Sequence, residues 1–381
     1  DVERHWLLFN MHHVISDGWS LGVLVRELSE LYRAACAGRS AELPALCLHY
    51  ADFAAWQHAG LVEATLRFQL EYWRQQLADA PTLLDLPGDR PRPARRSYRG
   101  GSVERRLDVA LTGELHRFAR AHCATPFMTL FSAFSWLLAQ VSGQDELLIG
   151  TPVANRRQAA SEHLIGLFLN TLVLRSRPGG VSDFASLVAQ TRRTAVEAYA
   201  HQDLPFEALV DALQPERSLA HSPVFQVMFV MQNTPLTQLR LGDVSVTLGP
   251  PPLQVAKFDL TLYVEESEGT LATRWEYNAD IFDADRIERL AGHFEQVLHI
   301  ALAAPRRRLV DLDLLTGRER ADIAAWSTGA AVTPAFGTVL DGVERQASRT
   351  PDAPAVVGPA DADGARTVLT HAELNRRANQ L

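Results

Sequence analysis

Residues 10–20 read NMHHVISDGWS and lie between two apolar stretches of different period. Before them, the run at 4–11 containing HWLLFN (5–10) reads as a strand. After them, SLGVLVRELSELYRAACAG (20–38) sets Leu21, Leu24, Val25, Leu28, Leu31 and Tyr32 on one helical face. Ser20 is the expected N-cap of that helix and Gly38 its stop. The pattern forces a strand–loop–helix corner whose loop carries His12, His13 and the pair Asp17-Gly18. Such a corner can aim an imidazole into a cleft while the backbone is anchored on both sides.

Taken singly, these parts say little. Paired histidines in a loop are ordinary surface residues, and Asp-Gly is an ordinary turn. A metal reading lacks a third ligand at helical spacing, and the chain has no HExxH or CxxC. The whole string HHxxxDGWS is more specific. It resembles the active-site motif of condensation domains of nonribosomal peptide synthetases, within the chloramphenicol acetyltransferase-like superfamily. Further segments are similar to that family in the same order: YADFAAWQ (50–57), GTPVANR (150–156) with IGLFLNTLVLR (165–175), HQDLPFEALV (201–210) and RSLAHSPVFQVMF (217–229).

The resemblance implies a mixed α/β, two-lobed fold of β-sheets flanked by helices. It implies amide formation between a donor thioester on an upstream carrier domain and the amine of an acceptor on a downstream one. The substrates ride on 4′-phosphopantetheine arms of those partners, and no cofactor or metal is expected on this chain. His13 matches the tunnel-facing histidine, and an imidazole is the side chain suited to accept a proton from an attacking amine. His12 is expected to hold the loop. Asp17, by resemblance, pairs with an arginine rather than touching substrate, and Arg156 is the candidate partner. Gly18 is expected to permit a tight turn and free its N–H for an oxyanion, and Trp19 to pack in the core. Asn170, Thr171, Gln202 and Asp203 either line the tunnel or support it, and Phe206, Leu209 and Val210 pack behind them.

Among subtypes, heterocyclisation domains carry aspartates in place of the histidine pair. Recruitment domains without chemistry usually break the motif. The intact string, its SDGWS ending and IGLFLNTLVLR favour joining an L-donor to an L-acceptor. The D-donor subtype, an epimerisation domain and a silent carrier-docking domain remain the alternatives.

Helical patterns fall at 20–37, 60–78, 111–122, 126–142, 182–200 and 283–303, and further strand patterns at 101–107, 146–151, 168–175, 224–232, 258–266 and 270–277. Thr125, Ser182 and Asp283 read as starts. The Pro- and Arg-rich stretch 86–101 reads as a surface connector between lobes, its arginines as a solvated face that a carrier phosphate could use. The expected division is a condensation domain at 1–312, a linker at 313–335 and the start of an adenylation domain at 336–381. The last piece rests on LTHAELNRRANQL (369–381), where Thr370 and Glu373 fit a capping box. Asp1 opens the chain in place of Met and Leu381 falls inside a helical pattern, so a piece of a multidomain synthetase is expected.

A net charge of −8 argues against nucleic acid or an anionic membrane surface as partner. Lys257 is the only lysine. Cys36, Cys47 and Cys123 suggest no disulfide framework, and no apolar run is long enough to span a bilayer. A cytoplasmic enzyme is the default expectation.

Overall fold

A computed structural model describes residues 5–60, 63–215, 218–232, 239–242, 244, 246, 255–267, 269–329, 337–360 and 366–380. The chain divides into two compact units, 1–316 and 317–381.

In the first unit a 3-10 turn, His13–Ile15, precedes α1 (Gly18–Cys36), α2 (Tyr50–Gly60) and α3 (Glu63–Leu77). Then come β1 (Gly100–Arg106), α4 (Val109–Ala121), α5 (Pro126–Ser142), β2 (Leu147–Val153), β3 (Asn170–Ser176), α6 (Phe184–Ala200) and α7 (Phe206–Leu213). β4 (Val227–Gln232), β5 (Leu260–Ser267), β6 (Thr270–Asn278) and α8 (Ala284–Ala303) complete it. The strands form one mixed sheet in the order β1-β6-β5-β4-β2-β3. β4 runs parallel to β2 and β5, and the remaining neighbours are antiparallel. The mixed α/β class expected from the sequence is the one found.

The sheet's alternation places the core. Val103, Trp275, Leu262 and Phe229 share one row across β1, β6, β5 and β4, and all are buried. Trp275 meets Phe134 of α5 and Phe294 of α8 in near-perpendicular ring contacts, centroids 5.8 and 5.5 Å apart. α5 is apolar almost all round because it is buried along most of its length. Thr125 caps it through Met128 N–H, Pro126 opens it, and Gly143 ends it at φ +70°. Phe225 fills the space over Gly150, where a β-carbon would meet its ring at 2.3 Å.

Several expectations are corrected. Residues 5–11 form no strand; a strand needs a ladder, and no ladder among the described residues includes them. Trp6 is 83% exposed there. Residue 4 of that run lies outside the described residues, as do Arg217, 330–335 of the expected linker and residue 336 of the expected adenylation start. α1 is capped by Asp17, whose Oδ1 accepts the Ser20 N–H at 2.8 Å, not by Ser20 itself. Asp183 rather than Ser182 caps α6, and Asp283 caps α8 without a side-chain bond. Residues 50–57, read only as a motif, are helical, within a helix that ends at Gly60.

The connector's arginines are divided: Arg95 and Arg99 are exposed, as expected of a solvated face, whereas Arg90, Arg92 and Arg96 are bonded to the fold. Arg92 holds the buried Asp259 with two bonds of 2.9 and 2.5 Å. Arg96 donates to Ser222 Oγ and the Lys257 carbonyl, each at 3.0 Å, and Arg90 pairs with Asp283. Proline-rich backbone forgoes its own ladder, so the side chains fasten it instead.

The second unit contains α9 (Gly317–Ser327), which occupies part of the expected linker, α10 (Val339–Arg349), β7 (Pro354–Ala360), β8 (Arg366–Thr370) and α11 (His371–Ala378). β7 and β8 pair antiparallel. Thr370 and Glu373 form a reciprocal capping box at the start of α11.

No single described helix is long and apolar enough to cross a membrane.

Candidate functional site

The two histidines sit on the 3-10 turn in front of α1, and both are exposed. His12 Nδ1 accepts the Val14 N–H at 3.1 Å, which leaves its proton on Nε2. Ile15 and Ser16 N–H close the turn onto the His12 and His13 carbonyls at 3.1 and 3.4 Å. The His13 imidazole is thereby presented to solvent on a short, bonded turn.

Four residues on, the chain dives into the interior. Asp17 and Arg156 meet at 3.2 Å with side chains only 2% and 1% exposed. Asp17 Oδ1 also accepts from Ser20 N–H at 2.8 Å, Oδ2 accepts the Phe168 N–H at 3.0 Å, and the single Ser20 hydroxyl proton lies between Asp17 Oδ1 at 2.8 Å and the Gly166 carbonyl at 2.7 Å. Burial opposes the Asp17 charge, but the Ser20 and Phe168 bonds and the Arg156 charge outweigh it, so its pKa lies below the ordinary carboxylate value. The two terminal nitrogens of Arg156 also donate to the carbonyls of Ser161 and Leu164 and to Ser20 Oγ, while its buried Nε–H has no hydrogen-bond partner among the described residues. Its guanidinium lies over the Phe168 ring at 3.9 Å. A carboxylate so bonded and so buried fixes a loop and is withdrawn from solvent.

Gly18 is the first residue of α1. A β-carbon there would meet nothing within 4 Å, and its φ is not left-handed, so the turn does not require glycine. Trp19 is half-buried rather than in the core; its indole N–H donates to the Glu162 carbonyl at 2.9 Å. An indole must place its N–H on an acceptor, and that holds the ring at the edge of the packed region.

The other singled-out residues form a second network. Buried Asn170 donates to the carbonyls of Gln202 and Leu204, both at 2.8 Å, and accepts from Phe206 N–H at 3.0 Å and Thr171 N–H at 2.9 Å. Three of these bonds tie β3 to the loop between α6 and α7 and to the start of α7, and the fourth stays within β3. Asp203 accepts from Gln69 at 3.1 Å and from Arg157, while Gln69 Oε1 takes the Leu204 N–H at 2.8 Å. Gln202 bonds back to Tyr199 at 2.9 Å. Thr171 pairs with Pro152 across β2 and β3. Leu209 is buried, and Phe206 and Val210 pack partly buried against the core.

Sequence reasoning passed over Ser20, Tyr50, Gln69, Arg157, Gly166 and Phe168 as participants. Five of these lie in or beside the quoted motifs, so the motifs themselves were the available signal; Gln69 carried none.

An open cavity of about 340 Å³ lies over the other side of the sheet, lined by residues including Glu104, Arg106, Tyr263 and Arg274, and it includes none of the residues singled out from sequence. There Arg274 pairs with Glu276 at 3.3 Å and lies over the Tyr263 ring at 3.9 Å. Burial pushes the Glu276 carboxyl up, partly offset by Arg274 and Lys257. Among the described residues, no group of three or more His, Cys, Asp or Glu could hold a metal ion.

The sequence profile of a family described as "Condensation domain" matches residues 1–324. A linear gramicidin synthase of Brevibacillus parabrevis is 41% identical over 98% of this chain, which spans only 5% of that relative's length. The X-domain from teicoplanin biosynthesis has a similar structure, with a TM-score of 0.73 and 29% identity over 80% of this chain and 71% of that one. A four-domain nonribosomal peptide synthetase, solved bound to AMP and glycine, matches 96% of this chain with a TM-score of 0.77. It is 24% identical, the match spans 28% of that chain, and the likeness is one of fold.

Proposed function

This chain belongs to the condensation-domain family of nonribosomal peptide synthetases, and from that membership we propose that it joins two carrier-bound substrates through an amide bond. The acceptor amine attacks the donor thioester carbonyl. A tetrahedral intermediate forms, the carbon–sulfur bond breaks, and the proton lost by nitrogen ends on the departing thiolate. The observation that carries this reading is the division of labour in the motif: Asp17 is consumed by Arg156 and α1, while His13 is left exposed on a bonded turn. His13 is the group that orients the amine and takes its proton. Gly18, at the first position of α1, offers its N–H toward developing oxyanion charge. His12, Trp19 and Arg156 hold the loop, and Asn170, Thr171, Gln202 and Asp203 hold the neighbouring one.

The donor is an L-configured aminoacyl or peptidyl thioester and the acceptor an L-aminoacyl thioester, each on the 4′-phosphopantetheine of a carrier domain. An adjoining adenylation domain, begun by residues 336–381, supplies the acceptor's activated amino acid. The setting is cytoplasmic biosynthesis of a secondary metabolite.

The likeness to the X-domain, a protein also solved in complex with OxyB, favours one second reading: a docking module without chemistry. Two loaded carrier proteins and the polypeptide that carries this chain decide between them. Dipeptidyl carrier product, lost in His13→Ala, supports the amide reading. Carrier binding with no product at any substrate pair overturns it. Matched L- and D-donors test the stereochemical assignment in the same assay.

A further inference from the structure

Three consecutive residues, Gly166 to Phe168, are each gripped by a different side chain. The Ser20 hydroxyl meets both polar groups of Gly166, its carbonyl at 2.7 Å and its N–H at 3.1 Å. The Phe168 N–H donates to Asp17. Between them, the Leu167 carbonyl accepts the phenol of Tyr50 at 2.8 Å. Tyr50 belongs to α2, a helix that carries none of the residues assigned to the reaction or to its supporting loops.

Its ring makes two further contacts with the same segment. It lies on Gly166 so closely that a β-carbon there would meet it at 2.1 Å. It meets Phe168 edge-on, centroids 5.2 Å apart and 76° between planes. Phe168 in turn carries the Arg156 guanidinium on its face. Hydroxyl, ring face and ring edge therefore all bear on the segment that receives Asp17.

We propose that Tyr50 is a positioning residue for His13, acting through Gly166–Phe168 and the Asp17 cap. The inference rests on the amide-forming role assigned to His13 above. The transmission is short. Asp17 is bonded at once to Phe168 and to the first turn of α1, and the turn carrying His13 is closed by its own two bonds just ahead of Asp17. A displacement of the segment moves the cap, and little slack separates the cap from the imidazole. Reacting groups misplaced by about 1 Å can lose on the order of 10²-fold in rate.

The molecule supplies a control for the ring packing, in a tyrosine whose hydroxyl makes no such bond among the described residues. Tyr277 lies on Gly101 in the same manner, with a β-carbon approach of 2.4 Å, on strands β1 and β6 that carry none of the residues assigned to the reaction.

The test compares Tyr50→Phe, Gly166→Ala and Tyr277→Phe in the full polypeptide with loaded carriers. Two readouts are taken: kcat and acceptor KM for dipeptide formation, and the site-resolved rate of carbethoxylation of each histidine by mass spectrometry. Tyr50→Phe is expected to lower kcat about tenfold with KM unchanged. It should change the modification rate of His13 while His58 and His116 keep theirs. Gly166→Ala should do the same more strongly, and Tyr277→Phe should do neither. Parallel losses in Tyr50→Phe and Tyr277→Phe, or a His13 rate equal to the parent's in both Tyr50→Phe and Gly166→Ala, overturn the proposal. If the parent makes no dipeptide, the amide reading fails, and the His13 rate alone then decides the positioning.

Discussion

Arg156 and Arg157 are neighbours in sequence, yet their guanidiniums hold different loops. Arg156 reaches Asp17 at 3.2 Å in the interior, and Arg157 reaches Asp203 at 3.1 Å near the surface. Two residues of β3 and its approach repeat the division: Phe168 N–H goes to Asp17, and Asn170 goes to the Gln202–Phe206 loop. The segment 156–170 is thus a common support for both loops, so perturbing either network has a defined local effect.

His13→Ala is expected to remove most amide formation, by about 10²–10⁴-fold, because a positioned acid–base group is lost. Its side chain is exposed, so thermal melting should match the parent. Dipeptide yield and melting temperature, measured on the same preparation, check both halves of the statement.

Asp17→Ala should behave in the opposite way. It strands a buried guanidinium and uncaps α1, at a cost of roughly 3–5 kcal/mol. Melting several degrees below the parent is expected, with activity falling alongside. Replacing both members, Asp17→Leu with Arg156→Met, should recover part of the stability but not the rate. A double-mutant cycle on melting data measures the coupling.

Asp17 and Glu276 should give opposite pH signatures. The folded pKa of Asp17 is lowered, so its contribution is complete above the unfolded value of about 3.9 and fades as pH falls through the folded one. Asp17→Asn should therefore show a constant deficit from about pH 5 to 8 that narrows only in stronger acid. The folded pKa of Glu276 is raised by burial, which outweighs the opposing pull of Arg274 and Lys257, so its contribution is complete below the unfolded value and is lost as pH rises through the folded one. Glu276→Gln should gain on the parent as pH rises from about 4 into the weakly acid range. Denaturant melts at a series of pH values test both slopes.

Asn170→Asp should be more damaging than its small chemical change suggests. A carboxylate cannot donate to the Gln202 and Leu204 carbonyls, and leaving buried acceptors unpaired costs about 1–3 kcal/mol each. Hydrogen exchange should rise at 201–206 first, before the core strands respond.

The longer helices and the strands of 100–303 were legible because they have a clean period, and in α5 also a clear start and stop at Thr125-Pro126 and Gly143, whereas the short α7 was not among the expected helices. The α1 cap was not, because Asp17 and Ser20 both suit an N-cap, and only the tertiary demand on the Ser20 hydroxyl separates them. The apolar run at 5–10 reads as a strand by composition, but a ladder is a relation between segments and composition does not supply the partner. In the site, the motifs located Asp17, Arg156 and Asn170. Gln69 was invisible, since a glutamine inside a helical pattern looks like surface until the Asp203–Leu204 backbone is seen against it.

The fastened connector at 86–99 has a bearing on proteolysis. Arg90 and Arg92 are each followed by proline, which protects those bonds from trypsin, and the Arg96 side chain is tied to Ser222 and Lys257. Limited digestion of this arginine-rich stretch should therefore concentrate at Arg95 and Arg99, both exposed. Because Arg92 still grips Asp259 with two bonds, the pieces on either side of such a nick should stay together and elute as one particle until denaturant is added.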